Sequence, residues 1–361
     1  MPLFGRKTLI SVLAIAVALS ALYIARDRES HVLDEARRAE LGGQYATLEK
    51  GIVHYQLSEK PQLDTAQTVV LVNGFSSPLH IFDPTYEYLK TKHQVLRFDY
   101  YGRGYSDRID NAYEIDLYVK QIKNLLVSLN IKEQINIIGL SMGGAVATHF
   151  TNRFPHLVKK VTLIDPLLHT PNRADITLVQ TPGLGEYLAT TVIVPNMING
   201  AAEFVYDPES FPDWAEKFGD QTQYKGFSTA LLRTARFLAG KNFSSEYERL
   251  GQSGKPVQLF WGTEDQVIPI SDAEKIRALV PSIEFHEIPQ AGHLPHYEKP
   301  LQYQLGKIAS LTIRLVHQFL HSKLQPYHLK QQRQSPHLMK NLQIEHSKVR
   351  SLLVQCVSQV I

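Results

Sequence analysis

Cysteine is almost absent: the 361-residue chain has one, Cys356. That excludes an internal disulfide and any metal site built on cysteine, and it leaves the redox compartment unread. A surplus of one charge is missing as well. Lys and Arg number 38 and Asp and Glu 35, and a net charge of +3 is too slight to imply a nucleic-acid partner. No internal repeat is visible, and no set of side chains has the spacing of a metal site, so neither metal nor cofactor is expected.

Long hydrophobic runs are scarce too. The one that stands out, TLISVLAIAVALSALYIA from Thr8 to Ala25, is about 18 residues without a charge, closed by Arg26-Asp27-Arg28-Glu29. A helix of that length just spans the hydrocarbon core of a bilayer. Residues 1–29 are therefore expected to be an uncleaved, single-pass membrane anchor. The alternative is a signal peptide cut near Ala18-Leu19-Ser20, leaving a secreted or periplasmic protein, although its apolar core is normally shorter. Arg6 and Lys7 on one flank nearly balance Arg26 and Arg28 on the other, so orientation is weakly set.

The chain is long enough for one large α/β domain or two small ones. Beyond a short linking helix expected over 30–45, ATLEKGIVHYQL predicts a hairpin turning near Lys50-Gly51. Strand-like runs follow at Thr68–Val72, Gln94–Phe98, Ile135–Leu140, Val161–Ile164, Val257–Trp261 and Ile283–Ile288. Between them lie helical stretches: about Pro84 to Thr91, one with apolar residues at 115, 118, 122, 125, 126 and 129, one after Ser141, and Ser271 to Leu279. Such alternation predicts an α/β fold with a mostly parallel sheet covered on both faces. It pauses over 167–254, a helical, aromatic-rich stretch broken at Pro182-Gly183, Asp207-Pro208 and Phe211-Pro212, expected to be a lid over the strand ends. The core is then 46–166 with 255–323, closed by an amphipathic helix from about Leu301 to Lys323. Residues 324–361 form a basic extension outside the alternation; its Lys and Arg could meet anionic lipid or RNA but suit a solvated tail as well.

One stretch organises the rest. Ile135-Asn136-Ile137-Ile138-Gly139-Leu140-Ser141-Met142-Gly143-Gly144 sets G-x-S-x-G between a strand-like run and a helix, the context of a nucleophile elbow. Ser141 must sit at a sharp turn that crowds residues two places away, where Gly139 and Gly143 have no Cβ to clash. The helix starting at Met142 turns its free N–H groups toward the serine and favours negative charge there. An activated serine needs a base and a carboxylate to orient that base. With this elbow the chain order is serine, acid, histidine. Asp265, just past the strand ending at Trp261-Gly262, and His293, in Gln290-Ala291-Gly292-His293-Leu294-Pro295, meet that order at strand C-termini. Asp165 also ends a strand and is the competing acid, and Glu264 adjoins Asp265. His169, His286 and His296 suit structural roles better.

These segments together resemble the α/β-hydrolase superfamily over roughly Ala46 to Ser322. The resemblance rests on Phe98-Asp99 with Gly102-x-Gly104-x-Ser106, on Gly139-x-Ser141-x-Gly143-Gly144, and on Trp261-Gly262 with Asp265 and Pro269. Gly292-His293 with Pro295, Glu298 and Pro300 completes it. Within the superfamily the chain is similar to the capped group of monoacylglycerol-lipase-like esterases and carbon–carbon bond hydrolases. The resemblance implies an oxyanion hole from the backbone N–H groups of Phe75 and Met142. It also makes the G-x-G after Phe98 a loop feature, not a nucleotide site. Relatives usually have His-Gly where this chain has Asn73-Gly74, so Asn73 is expected to brace the loop in place of histidine. A serine at 141 separates the chain from dehalogenases and epoxide hydrolases, whose nucleophile is aspartate.

The expected function is a membrane-tethered serine hydrolase acting on carboxylic esters, lipid-like ones such as acylglycerols. Its expected partners are a small hydrophobic ester and, through the amino-terminal helix, a membrane, with no obligate protein partner. A carbon–carbon hydrolase or a thioesterase with the same triad is the alternative. A catalytically weak binding or receptor protein is the reading from another class, and the presence of Ser141, Asp265 and His293 together argues against it.

Overall fold

The structure, a computed structural model, describes residues 6–170, 178–200 and 204–300. The helix expected over 301–323 and the extension 324–361 lie outside the described residues.

Eight strands form one sheet in the order β1-β2-β4-β3-β5-β6-β7-β8. A hairpin of β1 (Gln44–Leu48) and β2 (Gly51–Leu57) lies at one edge, antiparallel within itself and to β4 (Gln94–Phe98). From β4 onward, through β3 (Thr68–Val72), β5 (Ile135–Leu140), β6 (Val158–Ile164), β7 (Val257–Gly262) and β8 (Glu284–Ile288), every pairing is parallel. Each residue of β3 and of β7 is buried, as strands covered on both faces must be. Their side chains alternate between two cores: Val70 and Val72 join one cluster, Val69 and Leu71 the other.

The helices follow from the same alternation. α1 (Arg6–Arg26) is the apolar amino-terminal helix and α2 (Glu35–Leu41) the short linker. α3 (Asp83–Leu89) and α4 (Ile115–Ser128) follow, then α5 (Met142–Arg153), which starts directly after Ser141. Between β6 and β7 come α6 (Leu184–Leu188), a π-helical turn Ala189–Ile193, α7 (Val194–Asn199), α8 (Trp214–Asp220), α9 (Phe227–Leu238) and α10 (Ser244–Gln252). α11 (Ser271–Leu279) and α12 (Pro295–Glu298) complete the described residues. The inserted block reaches the strand C-termini: Gln221 Nε2 donates to the Ser76 carbonyl, and the Thr234 hydroxyl accepts from Arg103.

Two expectations change. The linking helix shortens to Glu35–Leu41, because the preceding residues are extended along the insertion: His31 pairs with Tyr224 in parallel. Beside that bridge the Glu29 carboxylate accepts from the N–H groups of Gly226 and Ser228, capping α9, while Arg28 donates to Thr222. The helix expected from Pro84 begins at Asp83 and ends at Leu89, preceded by a 3₁₀ turn Leu79–Phe82. A proline tolerated in the first turn of a helix accounts for the early start.

Candidate active site

Ser141 sits at φ 54° and ψ −122°, a region residues with a Cβ rarely occupy. The neighbouring backbone holds it there. Its N–H donates to the Ile164 carbonyl at 2.9 Å, and its carbonyl accepts from Leu167 N–H at 2.9 Å. The two glycines are steric requirements. A Cβ on Gly139 would lie 2.2 Å from the Gly143 carbonyl oxygen, and one on Gly143 would lie 2.2 Å from the Val72 oxygen and 2.3 Å from that of Asn73. Thus Gly143 lets the elbow press against the loop after β3, which carries Asn73, Gly74 and Phe75. Met142 opens α5, whose first N–H groups have no acceptor within the helix.

Asp265 and His293, 28 residues apart, meet at the carboxyl edge of the sheet. His293 Nδ1 lies 2.7 Å from Asp265 Oδ2, and both side chains are buried. Asp265 Oδ1 accepts from the N–H groups of Val267 at 2.8 Å and Ile268 at 3.0 Å, which fixes the carboxylate. The imidazole then carries its proton on Nδ1 and leaves Nε2 as the basic nitrogen. Glu298 holds the histidine loop, accepting from Gly292 N–H at 2.9 Å and Tyr206 N–H at 2.6 Å, and burial pushes its carboxyl up from the ordinary value. No hydrogen bond joins Ser141 Oγ to His293 among the described residues. Such bonds in free enzymes are often long and tighten only with substrate.

Asp165 is drawn to the same place: one ligand atom each from Asp165, Asp265 and His293 lies within 4.8 Å of the others. That spacing would admit an ion, but the Nδ1 of His293 is already engaged with Asp265. The competing residues stand apart. Glu264 is exposed, His296 Nε2 is paired with the Ile81 carbonyl at 3.1 Å, and His286 stacks on Phe260. His169 lies 3.4 Å from Asp272.

The loop after β3 is tied from both sides. Asn73 Nδ2 donates to the Phe98 carbonyl at 2.8 Å, a fully buried bond. Arg103, wholly buried, donates through Nε to the Phe75 carbonyl at 2.8 Å and through Nη2 to Thr234 at 3.0 Å. Desolvation lowers its pKa, and carbonyls, a hydroxyl and the Phe75 ring surround it. Sequence reasoning passed over this residue; its one signal was an arginine between Gly102 and Gly104. We expect Asn73→Ala to lower kcat roughly ten- to a hundredfold with little change in KM, since loop position matters most when charge develops. Steady-state kinetics on a soluble ester would decide. An unchanged kcat would mean that Arg103 and Gln221 hold the loop without Asn73.

Two cavities flank the loop. The larger, about 560 Å³, has charged and polar residues in its lining, among them Arg28, His54, Asp99, Lys217 and Asp220. The smaller, about 330 Å³, is apolar, lined by Phe75, Leu188, Val192, Ile193, Leu231 and Ala235 among others. Of the candidate site residues, Phe75 lines the smaller one. The smaller cavity thus adjoins the loop that packs on the elbow.

An eight-stranded, mostly parallel sheet with a strained serine between β5 and α5 defines a class of hydrolytic enzymes. Residues 67–300 match the family of the alpha/beta hydrolase fold, and the chain belongs to that family and is a hydrolase. It is 26% identical over 272 residues to a 2-hydroxy-6-oxononadienedioate/2-hydroxy-6-oxononatrienedioate hydrolase of Cupriavidus pinatubonensis, covering 70% of this chain and 90% of that one. It is 23% identical over 244 residues to Lipase 3 of a Moraxella species, covering 65% and 74% of the two chains. Among solved structures, a bacterial membrane phospholipase A superposes with a TM-score of 0.59 at 19% identity, over 87% of this chain and 99% of that one.

Proposed function

We propose that the chain is a serine hydrolase of lipid-like carboxylic esters, with Ser141 as nucleophile, His293 as general base and Asp265 as its orienting acid. The observation that carries the reading is the 2.7 Å His293–Asp265 pair at the same sheet edge as a serine held at a strained elbow. In this mechanism Ser141 Oγ attacks the ester carbonyl while His293 Nε2 takes its proton. The N–H groups of Met142 and Phe75 receive the oxyanion. Collapse expels the alcohol, which takes the proton back from His293, and water then releases the acid from the acyl-enzyme by the same route.

The apolar groove along Phe75 supports a hydrophobic acyl chain or alcohol, with 167–254 acting as the lid over the 46–166 and 255–323 core. The anchor reading gains support from α1 itself: Thr8–Arg26 is long and apolar enough to cross a membrane, and none of it is buried inside the structure. The Cupriavidus relative favours a second reading, hydrolysis of carbon–carbon bonds by the same triad. A panel of acylglycerols, thioesters and ring-cleavage diketones, after labelling with a fluorophosphonate, separates these readings. Turnover of diketones without esters would overturn the first.

If Thr8 to Ala25 is an uncleaved anchor, the intact chain should stay in the membrane fraction through high salt and alkaline carbonate, which strip proteins held by charge alone. A chain beginning at Asp27 keeps the Glu29 cap on α9 and should be soluble and active on small esters. A mature protein starting near Ala21 and free of membranes would instead establish a signal peptide.

A further inference from the structure

The triad leaves one buried acid unused. Asp165 follows Ile164, whose carbonyl holds the Ser141 N–H, and it sits at φ 40° with no solvent exposure. Its Oδ1 accepts from Gly262 N–H at 2.9 Å. Its Oδ2 is buried with no hydrogen-bond partner among the described residues, yet the carboxyl group belongs to the 4.8 Å cluster with Asp265 and His293. Two bare carboxylates that close in a dry interior repel strongly, and an orphaned buried oxygen costs free energy in its own right. Both difficulties vanish if one of the two acids keeps its proton. Asp265 accepts two backbone N–H groups on Oδ1 and faces His293 through Oδ2, three donors in all. Asp165 has one such donor.

We propose that Asp165 is a protonated carboxylic acid that donates from Oδ2 to the Asp265 carboxylate, a positioning residue behind the triad. Burial first, then the charge of Asp265, push the Asp165 carboxyl well above the usual carboxylate range, against the smaller opposing pull of Gly262 N–H. Glu298, from α12, adds to the push. The remaining titratable group of the cluster is His293, on the loop after β8. No bond forms or breaks at Asp165, and its proton stays there throughout turnover. The extra donor fills a lone pair of Asp265, locks the carboxylate toward Nδ1, and keeps the imidazolium proton on nitrogen. The pattern resembles second-layer acids that orient a ligand without touching substrate.

The proposal rests on the triad reading, and its test separates the two. In the full chain, Asp165→Asn supplies a permanent donor in an equivalent shape, and asparagine tolerates the positive φ. It should keep kcat within about threefold and leave the acid limb of the pH–rate profile in place, whereas Asp165→Ala should lose roughly ten- to a hundredfold in kcat at similar KM. Infrared spectra at neutral pH should show a protonated-carboxyl carbonyl band in the parent protein that Asp165→Asn removes. An acid limb displaced downward in Asp165→Asn would mean that a buried negative charge had been removed, and would overturn the proposal. Absence of the difference band would overturn it equally, even if the alanine variant fails to fold. The band does not depend on turnover, so it stands or falls separately from the role of Ser141.

Discussion

Replacing Ser141 with alanine should abolish both ester turnover and fluorophosphonate labelling while leaving the fold intact. The loss in kcat is expected at about 10⁴ to 10⁶, the scale seen when a residue acting in a catalytic unit is removed. Alanine keeps the Cβ, so the strain at φ 54° and the contacts of the elbow are unchanged. The backbone bonds to Ile164 and Leu167 do not involve the hydroxyl either. Melting temperature should therefore move little, and any loss of activity belongs to Oγ. What activity persists would come from the oxyanion donors and from binding in the groove. Near-normal kcat would end the mechanistic reading, because no other hydroxyl is held at the elbow.

The elbow was legible in the sequence because its constraint is local. Gly139, Ser141 and Gly143 lie within five residues, and the clash that Gly139 avoids is with Gly143 itself, although Gly143 meets the backbone of Val72 and Asn73, distant in the sequence. Asp265 and His293 were legible because strand ends can be read from apolar runs, and parallel strands bring their carboxyl ends to one edge. The parallel sheet and the hairpin at its edge followed from the same runs. What stayed hidden depends on contacts between distant segments. Nothing in VTLIDPL says that Asp165 will face Asp265 across a neighbouring strand, although the pairing of β6 with β7 places them side by side. Arg103 looked like a loop residue because its acceptors, Phe75 and Thr234, are 28 and 131 positions away. Glu29 looked like the charged end of an apolar run, while the N-terminus it caps is 197 residues on, at Gly226. The limits of α3 moved by a residue or two for the usual reason that ends are set by caps and prolines, not by periodicity.

Asparagine in place of Asp265 should be nearly as damaging as loss of the serine, with kcat down roughly 10⁴-fold. The geometry of the carboxylate explains why an isosteric change is so costly. Asp265 accepts on both oxygens: Val267 and Ile268 N–H groups reach Oδ1, and His293 Nδ1–H reaches Oδ2. An amide has only one accepting end. If its oxygen faces His293, its NH₂ is driven against two backbone donors, and the loop after β7 must shift. If its oxygen stays with the backbone, its NH₂ donates to Nδ1 and forces the imidazole proton onto Nε2, the nitrogen that must accept from Ser141. In either orientation the charge that stabilises the imidazolium is gone. Asp165→Asn, by contrast, can keep Oδ1 on Gly262 N–H and turn its NH₂ toward Asp265, so it should leave kcat close to that of the parent. Both variants are to be compared on one soluble ester, with circular dichroism to confirm folding. The reverse ranking, with Asp165→Asn the more damaging of the two, would move the orienting acid from the end of β7 to the end of β6.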